Sequence, residues 1–202
     1  MSLAALPTAA RTIPIQARSR RRYDAILAAT VEVLREGGLV ACTMAAVAAA
    51  AGMTPPSLYR YFPNVEALLY AVAQTQLDEI NDHLDRGLRD LHDRDEARAA
   101  LIEGLDGYEQ LFREDAAMRA IWAGTLALPS LADLNIADSR RNAALLEERL
   151  APFRTTPLPP GRAFLTAHLM GSGMLLLRHL DDEAAAAVRA EVRELMLRLL
   201  DD

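Results

Sequence analysis

A chain of 202 residues, 51% of them hydrophobic and 25% charged, with a net charge of −6, has enough apolar side chain for one substantial core or two small ones and is not a disordered acidic tail. A single cysteine, Cys42, excludes an intramolecular disulfide and fits a reducing cytoplasm. The longest near-apolar run, 163–177, is 15 residues against the about 20 that a membrane span needs, and residues 1–12 lack the basic start and apolar core of a secretory signal.

Residues 1–17, with Pro7 and Pro14 and no apolar period, read as a flexible extension. From about Arg20, apolar residues recur at three and four through Leu34, giving an amphipathic helix that Gly37-Gly38 terminates. Thr43 is placed to cap a short alanine-rich helix ending near Ala51, where Gly52 tolerates a left-handed backbone. Thr54 is placed to cap a second short helix, Pro55 suits its first turn, and Pro63 limits it after Phe62. Two capped helices joined at a glycine match a helix-turn-helix, which puts its second helix in the DNA major groove.

Asn64 is the next N-cap, and Leu69, Val72, Ala73, Leu77, Ile80, Leu84, Leu88 and Leu91 form one long stripe. The period restarts at Leu101, Leu105, Tyr108 and Phe112; Asp115 caps a short helix closed by Pro129, and Ser130 a longer one toward Pro152. Residues 154–161 are a proline-rich loop, followed by helices at about 162–179 and 182–200. No strand pattern interrupts this order, so the fold class is all-α, with about nine helices.

Charge divides the chain as well. Residues 1–65 carry seven arginines against three acids, a net +4, and the remainder carries −10; a basic head on an acidic body suits nucleic acid at one end. Four scattered histidines and one cysteine offer neither zinc spacing nor a nucleophile pair, and no phosphate-cradling glycine loop occurs, so neither an enzyme, a metal nor a cofactor is expected. Glu103, Asp106 and Glu109 at three-residue spacing read as a solvated acidic face. Arginine as the only basic side chain apart from histidine, with abundant alanine, points to a GC-rich bacterial genome.

Residues 20–70 resemble the TetR-type transcriptional repressors. The resemblance is carried by Gly37-Gly38, Thr43, Val47-Ala48, Ala51-Gly52-Met53-Thr54, Ser57-Leu58-Tyr59 and Tyr61-Phe62-Pro63-Asn64, continuing through Glu66 and Leu68. It implies a DNA-binding head at 18–65 and a ligand-binding and dimerisation body at 66–202, with the last two helices, about 162–200, pairing two subunits into a homodimer. It implies further that the helix from Pro55 to Tyr61 enters the major groove of a palindromic operator, and that Thr43 and Tyr59 touch phosphate. The chemistry agrees: Thr54 and Ser57 can bond phosphate or base edges, Tyr59 and Tyr61 can donate to phosphate, Arg60 adds charge, and Pro55 and Pro56 can pack on thymine methyls. Taken singly, Thr43 and Thr54 read equally as caps and Tyr59 as core.

The chain departs from the family pattern at Val65, where many members carry a basic residue. Its second helix also offers only Met44, Ala45, Ala46 and Ala49 beside the groove. Arg18 and the run Arg20, Arg21 and Arg22 are the expected compensation, through phosphate or the minor groove. In the body, Tyr108, Phe112, Met118, Trp122, His168, Met170 and Met174 are the expected lining for a small, largely apolar effector, or else plain core. Gly171 and Gly173 point to a close approach by a ligand or a partner helix. The expected activity is thus a cytoplasmic repressor released by its effector; a DNA-binding activator, or a helical adaptor without ligand release, is the alternative.

Overall fold

The computed structural model describes residues 17–201, in which helix follows helix and no strand occurs. The extension expected over residues 1–17 lies outside them, apart from Ala17, which opens α1 (Ala17–Ala41). After α1 come α2 (Met44–Ala50), α3 (Pro55–Tyr59), α4 (Val65–Gly87), α5 (Arg94–Glu114), α6 (Ala116–Gly124) and α7 (Pro129–Leu150). A 3-10 turn at Ala151–Phe153, α8 (Arg162–Leu176), a second 3-10 turn at Leu177–His179 and α9 (Asp182–Leu197) complete the order. The described helices belong to two compact units. Residues up to Gln76 together with Asp115–Leu134 form one, and Leu77–Glu114 together with residues from Asn135 onward form the other.

In the first unit, Ile26 and Leu34 of α1, Val47 of α2, Leu58 of α3, and Leu68 and Leu69 of α4 meet in one core. Ala117 and Ile121 of α6 and Leu131 of α7 join it, so α6 packs with the N-terminal helices. An ion pair ties this arrangement: Asp115 caps α6 by accepting from the Ala117 N–H at 2.8 Å and takes Arg35 Nη2 of α1 at 3.1 Å. Gly38, at φ 66°, breaks α1 near its end as its glycine pair predicts. Ser130 is not the cap expected for α7; Pro129 already stands inside that helix, as its fixed φ allows at a first turn, and buried Ser130 donates instead to Glu66 Oε1 at 2.5 Å.

In the second unit, Leu101, Leu105 and Phe112 of α5, Leu146 and Leu150 of α7, Met170 and Met174 of α8, and Val192 and Met196 of α9 are buried. Two ion pairs join α5 to α9, Glu109 with Arg189 at 2.7 Å and Asp106 with Arg193 at 2.5 Å. These acids are therefore not simply a solvated face; the arginines opposite them share one face of α9, a pairing that spacing on α5 alone does not reveal. The close approach at Gly173 comes from Val192 of α9 in the same chain. A Cβ there would stand 3.2 Å from Val192 Cγ2, so neither a ligand nor a second subunit is needed to account for that glycine.

Candidate nucleic-acid interface

The site is built on two helices too short to persist alone. A seven-residue α2 and a five-residue α3 lie well below the length at which an isolated helix is stable in water. Their ends are therefore held by specific bonds. Thr43 Oγ1 accepts the Ala46 N–H at 3.1 Å, and at the other end Gly52, at φ 62°, turns the chain while its N–H and that of Met53 return to the carbonyls of Ala49 and Ala48. This left-handed position costs a residue with a Cβ about 1 kcal/mol.

Below the turn, Leu58 and Phe62 are fully enclosed, and burying such a side chain contributes about 1.5–3 kcal/mol. They anchor one face of α3. The opposite face, with Thr54, Pro55, Pro56, Tyr59 and Arg60, is open to solvent, with Ser57 and Tyr61 half-buried beside it. Tyr59 is 49% exposed, which removes it from the core and leaves it available to a partner. Thr54 takes the N-cap position with an extended backbone but does not cap with its side chain. Its hydroxyl pairs with that of Ser57 at 3.0 Å; since that bond uses one of two hydroxyl protons, the other remains to be donated. Thr43 likewise accepts from Ala46 and keeps its own proton.

Tyr23 joins the basic segment to this surface. Its ring lies 5.2 Å from that of Phe62, and burial, with the charge of Asp24, raises its phenol above the ordinary range. Arg20, Arg21 and Arg22, the three residues before it, are exposed, as is Arg18. Packing of Tyr23 thus brings the arginine run beside the end of the helix-turn-helix. Val65 packs against the first unit's core. On α2, Ala45 and Ala49 are exposed, but Met44, expected beside the groove, is 8% exposed and faces the core. Its position three residues before Val47 puts it on the buried stripe.

The family profile described as "Bacterial regulatory proteins, tetR family" matches residues 26–72, and that described as "Tetracyclin repressor-like, C-terminal domain" matches residues 95–202. The chain belongs to the TetR family of bacterial regulators. It is 31% identical over 158 residues to the HTH-type transcriptional regulator BetI of Cronobacter sakazakii (strain ATCC BAA-894), covering 76% of this chain and 74% of that protein. Over 125 residues it is 30% identical to a BetI of Stenotrophomonas maltophilia (strain R551-3), covering 59% of this chain and 62% of that one. Among solved structures, a TetR-family regulator from Streptomyces coelicolor is similar at a TM-score of 0.62 and 24% identity, over 89% of this chain and 97% of that one. Salmonella enterica GusR is similar at 0.67 and 20%, over 93% and 99%; these structures bear on the fold alone. This TetR-family protein is a DNA-binding transcriptional regulator, and its family and relatives are regulators rather than enzymes.

The regulator's expected effector residues are divided between its two units. Met118 and Trp122, one turn apart on α6, are buried in the first. In the second, Tyr108 and Phe112 stack edge to face at 4.9 Å, Met170 and Met174 are buried on α8, and His168 lies against Phe164 at 5.9 Å. The Ser139 hydroxyl donates to the Asn135 carbonyl at 2.7 Å, so its lone pair receives the His168 Nδ1–H at 3.0 Å. Sequence reasoning passed over a polar cluster in the same unit: Asn81 of α4 with Asp138 and Asn142 of α7. Two signals point to it. Asn81 stands four residues after Leu77, on the apolar stripe of α4, and Asp138 and Asn142 are spaced by four on α7. Among the described residues no group of histidine, cysteine or carboxylate side chains is arranged to hold a metal, and no single helix is long and apolar enough to cross a membrane.

Proposed function

We propose that this TetR-family regulator is a cytoplasmic repressor that binds a palindromic operator as a homodimer and leaves it when a small, largely apolar effector enters the C-terminal region. The observation that carries the DNA half is the solvent-facing side of α3, where Thr54, Pro55, Pro56, Ser57, Tyr59, Arg60 and Tyr61 surround a helix anchored from behind by Leu58. A rigid short helix with hydroxyls, an arginine and apolar rings on its free side can read base edges and bind phosphate together. Thr43 adds a phosphate contact at the start of α2, and Arg20, Arg21 and Arg22 add charge. The division of labour follows the chain: a DNA-binding head over 18–65 and a ligand-binding and dimerisation body over 66–202.

Dimerisation is supported by α8. Leu165, Leu169 and Leu176 are 57%, 38% and 47% exposed, and their spacing of four and seven places all three on one stripe of the helix, with exposed Ser172 between them. Three open leucines in a row suit a second copy of α8. A two-fold dimer then offers two recognition helices to half-sites about 34 Å apart. An effector that binds better to the form unfit for DNA releases the operator by shifting the population. The test is a reporter gene driven by the promoter beside the regulator's own gene. Expression of the chain should lower the signal, and a point change in α3 such as Arg60→Ala should restore it. A signal that rises on expression would favour an activator, and one that does not respond to the chain would favour an adaptor.

A further inference from the structure

Besides the buried Ser139 and Thr166, the core of the second unit holds a polar cluster where α4 meets α7. Asn81 is 3% exposed and gives an Nδ2–H bond to Asp138 Oδ1 at 2.6 Å. Asn142, one turn along α7, gives another to Asp138 Oδ2 at 3.0 Å. Burial pushes the Asp138 carboxyl above the usual carboxylate range, and the Asn81 bond and the charge of Arg141 pull it back. Both amides are thereby oriented, since turning either around would set oxygen against oxygen. That orientation leaves a deficit on the other side of each amide. Asn81 Oδ1 and Asn142 Oδ1 are enclosed and accept no hydrogen bond, although buried acceptors in native cores almost always do. Ion pairs of Asp78 with Arg141 at 2.8 Å and Asp85 with Arg149 at 2.7 Å flank the place and occupy the nearby arginines. The cluster therefore has one carboxylate and two surplus acceptors, and among these contacts Asp138 takes no hydrogen bond from a cation, the charge of Arg141 reaching it through space.

We propose that the effector of this regulator carries a primary ammonium head group, which binds between α4 and α7 against Asp138 and donates N–H bonds to Asn81 Oδ1 and Asn142 Oδ1. This rests on the effector reading above and narrows it to an apolar body with a cationic, hydrogen-bond-donating end. An ammonium supplies three N–H groups and one positive charge, which meets both orphan acceptors and the carboxylate. An alcohol supplies one proton and no charge, a trimethylammonium supplies charge and no N–H, and a carboxylate supplies neither. The two oxygens are closed to solvent, so the head group enters as α4 and α7 part locally, and the flanking ion pairs, more than half exposed at Asp78 and Arg141, are the bonds that yield first.

The test is calorimetric titration of the full-length protein with four probes of equal chain length: hexylammonium, hexyltrimethylammonium, 1-hexanol and hexanoate. Hexylammonium should bind one site per protomer at least about tenfold more tightly than each of the others. In Asp138→Asn, near in shape and without the charge, that preference should vanish while circular dichroism stays that of the parent. A cluster with only a structural role would shift the melting temperature or weaken all probes together, leaving their ratio alone. The proposal is overturned if the four bind the parent protein within about threefold of one another, or if hexylammonium binds more weakly than a Kd of about 1 mM; the parent comparison stands whether or not the variant folds. Anisotropy of a labelled operator separates this from the broader reading. Hexylammonium that binds with the expected preference but leaves the DNA complex intact supports the head-group assignment and contradicts effector release.

Discussion

The Thr43 hydroxyl oxygen accepts the Ala46 N–H at 3.1 Å, and its proton is free for the phosphate contact proposed above. Thr43→Ala should therefore lower the unfolding free energy by about 1 kcal/mol in urea titrations and weaken operator binding as well, whereas Thr43→Ser should preserve both. Asp115 also serves twice. Burial raises its carboxyl, but Arg35 and the amides of Ala117 and Met118 outweigh burial and hold it below the usual carboxylate range. A depressed native pKa stabilises the fold above the unfolded value of about 3.9, and that contribution is lost as pH falls through the native one. Asp115→Asn should thus melt below the parent at pH 7, and the gap should close in scans run below about pH 4; a gap that stays constant with pH would deny the carboxylate this role. At this scale the caps at Thr43, Asn64 and Asp115 and the turn at Gly52 were legible, because each depends on a neighbour within three residues. Ser130 was not, since its partner Glu66 lies 64 residues away.

Among the elements, the helix-turn-helix and the start of α1 are held against one another by the packing of Tyr23 on Phe62. Replacing Arg20, Arg21 and Arg22 by alanine should flatten the log–log salt dependence of operator binding by roughly 0.9 for each phosphate that is no longer neutralised. An unchanged slope would mean that the run is a solvated helix start. On α2, Ala45 and Ala49 are open to solvent, as expected of residues beside a groove, and Leu58 and Phe62, four residues apart, share the buried side of the motif. Met44 is the exception, because a helix of seven residues has too few apolar positions to fix its face without the core it meets. The pairing of α5 with α9 was equally hidden. Periodicity says that Asp106 and Glu109 share a face with Glu103, but only the fold brings Arg193 and Arg189 to two of them.

For the whole molecule, the order and number of helices among the described residues follow the caps, glycines and prolines of the chain, and the all-α class was readable for that reason. The grouping of helices was not. α6 joins the N-terminal helices through Ala117, Ile121 and the Arg35–Asp115 pair; the two members of that pair stand 80 residues apart in sequence, a separation that no local pattern records. The proposed dimer makes a prediction at this scale. Leu165→Glu with Leu169→Glu, on the open stripe of α8, should give a monomer in analytical ultracentrifugation and lower operator affinity by more than about tenfold, while leaving the helical signal in circular dichroism. A variant that remains dimeric would place the interface elsewhere.

The most direct measurement is fluorescence anisotropy of labelled DNA from beside the regulator's own gene, titrated with the purified protein at two salt concentrations in the presence of unrelated DNA. An α3 surface presented twice by a dimer predicts saturable, salt-sensitive binding that survives the competitor, with two protomers or a multiple of two per site, and that Arg60→Ala weakens. Binding that unrelated DNA removes altogether, or that saturates at one protomer per site, would contradict it.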